Sequence, residues 1–196
     1  MVHRKKLSYA RYEEIKHEVI FMFEETETDT FPIDCFKIAR KLHYVLRPYS
    51  ELGYRAYTEA LMESNEGFSR VEKDHSTGML RYVIYFNDIE HGIGNIRWTI
   101  FHEIGHIYLG HHDNPPGSES LEEAEANFFA KYAMCPPPLV NEADCSSPDD
   151  VLIKFDTSVE FSGYAYNYYQ NWLTKGASEY LGYEIEMLKR FHLVVA

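Results

Sequence analysis

The segment IRWTIFHEIGHIYLGHH, Ile96 to His112, sets the hardest condition on the fold. Ile100, Phe101, Ile104, Ile107 and Tyr108 recur at helical spacing and predict a buried helix that begins at Asn95 or the glycines before it and stops near Gly110. His102, Glu103 and His106 interrupt that apolar stretch. A carboxylate and two imidazoles do not enter a core without partners, because an unpaired buried charge is expensive. Whatever surrounds this helix must therefore satisfy them.

A metal ion would satisfy them together. His102 and His106 are four apart, so on a helix their side chains leave successive turns on one side, with Cβ atoms about 5–6 Å apart. Both can reach one ion, and zinc takes neutral imidazole at about 2.0–2.1 Å. Glu103, one residue on from the first histidine, is turned to where it can take a proton from a water beside the ion. This is the HExxH pattern, with His102 and His106 as ligands and Glu103 as the catalytic base.

A third protein ligand is needed, and several residues compete. His112 stands ten after His102, the offset of a third histidine in HExxHxxGxxH, but that pattern needs glycine at 109 and Leu109 is there. His111 and His112 are instead expected as an exposed polar helix end, where their charge suits the macrodipole. The helix predicted over Ser120 to Met134 offers Glu123, as in gluzincins, with Asn127 one turn on to hold a ligating histidine by its other ring nitrogen. Ala126 and Ala130 would let the two helices approach. Glu122 and Glu125 remain alternatives, and Ser120 with Glu123 could instead form a capping box. An anionic ligand beside two neutral histidines favours Glu123. Such a site also admits manganese or iron.

Around these segments the pattern alternates helices with a short strand region. Ser8 caps a predicted helix to about Glu24, with Tyr12, Ile15, Val19 and Phe23 on one face. FPIDCFKIARKL reads as a second helix with Pro32 near its start and Ile33, Phe36 and Leu42 inward. Tyr44 to Tyr49 reads as a strand, Arg55 to Ser64 as a helix, and GFSRVE with MLRYVIYF as an antiparallel pair across a turn-rich link. Pro136, Pro137 and Pro138 end the helix after the loop at HHDNPPGSE. Beyond them, Ser147 and Ser158 are caps for short helices, and the FHLVVA end is ambiguous.

These blocks together resemble a known family, the ImmA/IrrE-type metallopeptidases. The resemblance rests on PIDCFKIARKL followed by PYSEL, on IRWTIFHEIGHIYLGHH, and on EAEANFFAKYAMCP, spanning Pro32 to Pro138; Cys135, between Met134 and the first proline, departs from it. It implies His102, His106 and Glu123 as zinc ligands and Glu103 as the catalytic glutamate. It further implies a cytoplasmic endopeptidase, encoded on phages, mobile elements or stress-response loci, that cleaves a helix-turn-helix repressor. The alternative is a binding protein that senses metal or sequesters a repressor without cutting it.

The expected fold is α+β: a zincin-like domain over residues 1–140 with a small antiparallel sheet, and a helical cap over 141–196. The basic start has no apolar stretch of a signal peptide, and no run approaches the roughly 20 apolar residues of a membrane span. Three cysteines without a CxxC pair fit reduced, buried thiols. A net charge of -12 opposes general nucleic-acid binding. VLIKFDTSVEFSGYAYNYYQNWL has a helix-turn-helix look, yet Val159 to Leu173 holds no Arg or Lys to read DNA. It is read as packing on the core.

Overall fold

The computed structural model describes residues 6–114, 119–176 and 179–193. It is an α+β fold in which helices surround a three-stranded mixed sheet of order β1-β3-β2. None of its helices is long and apolar enough to cross a membrane, among the described residues.

Helix α1 (Tyr9–Glu25) starts where Ser8 accepts a hydrogen bond from the Arg11 backbone N–H, and it buries Ile15, Val19, Met22 and Phe23. Helix α2 (Cys35–Lys41) starts later than the proline suggested. Asp34 is its cap, accepting from the Lys37 N–H, so Pro32 stands ahead of the helix. Ile33 is buried nonetheless, and Phe36 and Leu42 pack against the core. Strand β1 (Val45–Pro48) leads through a short turn to α3 (Tyr54–Glu63), then to β2 (Gly67–Lys73) and β3 (Leu80–Phe86).

The β2–β3 pair is antiparallel, as its turn-rich link implied, with Gly67 opposite Phe86 and Lys73 opposite Leu80. The expectation of an antiparallel sheet throughout is corrected by β1. It runs parallel to β3, Val45 against Val83. The connection explains this: α3 and β2 intervene, and the chain has already reversed once before β3 takes the centre.

Helix α4 (Ile93–Tyr108) carries the histidines, and α5 (Glu119–Met134) packs along it. The contact is close because Gly105 has no side chain. A Cβ there would lie 3.2 Å from the Cβ of Phe129 and 3.3 Å from the Cα of Ala126. Ala126 and Ala130 are fully buried at this seam, as their size suggested. The prolines after Met134 do more than stop α5. Pro136 caps α6 (Pro137–Glu142) and Pro137 opens it, since a missing N–H costs nothing in a first turn.

Helices α7 (Pro148–Phe155) and α8 (Val159–Lys175) are capped by Ser147 and Ser158, and α9 (Gly182–Arg190) follows. Val151, Phe155, Phe161, Met187 and Leu188 join one buried cluster with Ile15, Ile100 and Phe129. The paired helices α7 and α8 thus pack on the core as expected. The last three residues of FHLVVA lie outside the described residues. Cys35, Cys135 and Cys145 are free and buried, and burial pushes the Cys35 thiol up to about 12.

Replacing Gly105 with valine drives two methyl groups into Phe129 and Ala126. Such overpacking costs about 1–3 kcal/mol, so the denaturant midpoint of Gly105→Val falls below that of the parent chain.

Candidate metal centre

The α4–α5 crossing brings three predicted residues to one place. The Nε2 atoms of His102 and His106 lie 3.0 Å apart. From α5, Glu123 reaches both: Oε1 is 3.3 Å from His106 Nε2 and Oε2 is 3.5 Å from His102 Nε2. Each of these residues offers a donor atom within 4.8 Å of the others. The spacing can be compared with the geometry of zinc. Ligands at about 2.0–2.1 Å from a tetrahedral ion are separated by about 3.3–3.4 Å along each edge. The two imidazole nitrogens stand a little closer than that edge and the carboxylate reaches each ring with a different oxygen, so two imidazoles and one carboxylate gather as a donor set suited to a divalent cation. This group could hold a metal.

Local electrostatics favours positive charge at the same point. The adjoining imidazole rings, above all the bond from His102, hold the Glu123 carboxyl well below the usual carboxylate range. Burial works against a charged His102 ring, but its bond to Glu123 and the charges of Glu103 and Glu123 outweigh it and raise its pKa. Glu123 does not form the capping box. Ser120 lies within α5 rather than ahead of it.

Glu103 is buried, 7% exposed, and lines a cleft of about 440 Å³ with His102, His106 and Glu123. Its partner comes from the sheet. Ser69 on β2 donates its hydroxyl to Glu103 Oε2 at 2.7 Å, which leaves the Ser69 oxygen to accept from His112 Nε2 at 3.1 Å. The carboxylate is therefore aimed by a neighbour that sequence reasoning did not single out. Ser69 sits mid-strand in an ordinary alternating stretch, and its register against α4 is set by tertiary packing.

Two expectations are corrected here. Asn127 does not hold a ligating histidine: its amide donates to the Glu123 carbonyl of its own helix at 2.6 Å. The Nδ1 of His102 is buried and makes no hydrogen bond among the described residues. The second correction concerns His111 and His112, which are not an exposed helix end. Helix α4 ends at Tyr108, Gly110 takes a left-handed conformation at φ 74°, and a 3-10 turn follows over His111–Asp113. Glycine, with no Cβ, adopts this conformation at no steric cost. The reversal folds His111 back until it is 7% exposed, with its Nδ1 3.0 Å from the Nδ1 of His106.

Behind His111 the contacts continue. Its Nε2 lies 3.0 Å from Glu125 Oε2, and Arg11 of α1 grips the same carboxylate with Nε and Nη2 at 2.8 and 2.9 Å. Glu125 and Glu123 are two residues apart, about 200° around a helix, so α5 turns one toward the cleft and the other toward α1. Glu125 is thus a partner of His111 rather than a further ligand, and Glu122 accepts from Asn114. Burial, reinforced by the charge of His106, keeps the His111 ring below its ordinary pKa despite Glu125.

No family model matches the chain, and a search of curated proteins finds no match.

Burial raises the Glu125 pKa, but the bonds from Arg11 and His111 outweigh it and leave the carboxyl below its ordinary value. A carboxyl depressed in the folded state stabilises above its unfolded pKa, and that contribution is lost as pH falls through the folded one. Glu125→Gln should therefore be less stable than the parent by about 1–2 kcal/mol at pH 7, with the gap closing in acid. Denaturant midpoints measured from pH 7 to pH 3 without metal check this.

Proposed function

We propose that the chain is a metal-dependent peptidase of zincin-like architecture, of the kind its resemblance to the ImmA/IrrE family implies. The observation that carries this reading is the convergence of His102, His106 and Glu123 in one cleft that Glu103 also lines. Zinc is the expected ion, and manganese or iron suits the same donors. A divalent ion bound there supplies a Lewis acid for a carbonyl oxygen and lowers the pKa of a water to about 7.

The remaining work falls to the chain's own residues. Glu103 takes a proton from the attacking water and later returns it to the departing amine. Ser69 holds the Glu103 carboxylate in one orientation for both transfers. The cleft is bordered by Gly67, Phe68 and Ser69 of β2, so a peptide entering it lies beside a strand. The substrate class, a helix-turn-helix repressor cut to release its target genes, rests on the family resemblance, as does action in the cytoplasm.

Glu103→Gln separates catalysis from binding. General acid–base catalysis is worth about 10²–10⁴-fold, so the variant should cleave a repressor encoded beside its gene at least about 100-fold more slowly while binding Zn²⁺ as the parent does. Mass analysis of the repressor after incubation with zinc-loaded protein reads the first, and chelator competition the second. If the variant still relieves repression fully, the chain sequesters its partner and does not cut it.

A further inference from the structure

His102 and His106 are unequal in their surroundings. The ring nitrogen of His102 that faces away from the cleft has no hydrogen bond among the described residues. That of His106 begins a line of contacts that runs through three elements. His106 Nδ1 meets His111 Nδ1 at 3.0 Å, His111 Nε2 meets Glu125 Oε2 at 3.0 Å, and Glu125 takes a two-pronged bond from Arg11. Arg11 sits in the first turn of α1, where Ser8 caps its backbone N–H.

The donors along this line can be assigned from one end. An ionised carboxylate only accepts, and Arg11 only donates. His111 must therefore present Nε2–H to Glu125. In a neutral ring its Nδ1 then carries only a lone pair, which can do nothing but accept. His106 must supply the proton from its own Nδ1. The other nitrogen of a neutral His106 is then bare: it can accept from His102 Nε2 at 3.0 Å, and it lies 3.3 Å from Glu123 Oε1, two acceptors that a cation between them would bridge. That is the tautomer a metal requires, since a ligating imidazole nitrogen must be unprotonated.

We propose that Arg11, Glu125 and His111 form a positioning relay that fixes His106 in the Nδ1–H tautomer and so prepares it to bind a divalent cation. This inference rests on the metal reading above. It makes the amino-terminal helix part of the centre, although α1 contributes no ligand. Gly110 has a role in it as well. A turn one residue earlier would offer a different side chain to the ion, whereas the turn after Leu109 delivers His111 to the back of His106.

Second partners of ligating histidines are worth about 10–100-fold in metal affinity. The test uses the full chain and Zn²⁺ alone, with His111→Ala, His111→Gln, Arg11→Met and the double variant Arg11→Met/His111→Ala. Zinc affinity is read by chelator competition, and the His106 tautomer by ring nitrogen chemical shifts. Circular dichroism confirms folding for each variant.

Affinity should fall about 10–100-fold in His111→Ala and by a smaller factor in Arg11→Met. His111→Gln, which keeps an acceptor and a donor, should recover part of the loss. In the double variant Arg11→Met should add nothing, because the relay is already cut. The His106 signal should move from the Nδ1–H pattern toward a mixture when His111 is removed. Folded variants that bind Zn²⁺ like the parent, or an Arg11 effect that persists without His111, would overturn the relay. Should the parent chain itself take up no Zn²⁺, the metal reading fails first, which is a distinct result from equal binding by parent and variants.

Discussion

The candidate site exists because two helices touch almost backbone to backbone. At Gly105 the separation between α4 and α5 is too small for a Cβ without displacing Phe129, and Ala126 opposes it across the seam. Glu123 lies one turn before this contact point, and His102 and His106 flank it on the other helix. Widening the seam would carry the carboxylate away from the ring nitrogens, which sit within 3.5 Å of it. The packing is therefore a geometric condition on the donor set as well as a source of stability. Close packing also explains why the site belongs to α5 rather than to the loop after α4.

Helix α5 is held on two sides, and this orders the groups around it. Toward α4 it presents Glu123, and toward α1 it presents Glu125. The sheet packs on α4 instead, where Ser69 of β2 holds Glu103. Among the described residues, Glu103 of α4 thus finds its partner on β2 and His106 its partner in the turn at His111, while the Nδ1 of His102 and the Nε of Arg97 make no hydrogen bond. This is how an apolar helix can carry a glutamate that is 7% exposed without leaving an unpaired charge.

Much of this was legible in the sequence, for identifiable reasons. Spacing of four placed both histidines on one helix side, and small residues at 126 and 130 marked the face that meets a neighbour. Caps at Ser8, Ser147 and Ser158 lie where side-chain chemistry requires them. The direction of β1 was not legible, because pairing between distant strands is not a local property. Nor was the role of His111. Glycine at 110 rather than 109 argued against His112 as a ligand, but the three-dimensional path of the turn decided what His111 would meet. Asn127 had suitable spacing and the wrong reach, since its amide is taken by its own helix.

The most direct test of the metal centre is the coordination of zinc in the loaded chain, by X-ray absorption and a crystal structure of the complex. The account predicts one ion per chain held by two imidazole nitrogens of His102 and His106 and a carboxylate oxygen of Glu123, at about 2.0–2.2 Å. An ion held by His112 in place of Glu123, or no ion bound between α4 and α5, would contradict it.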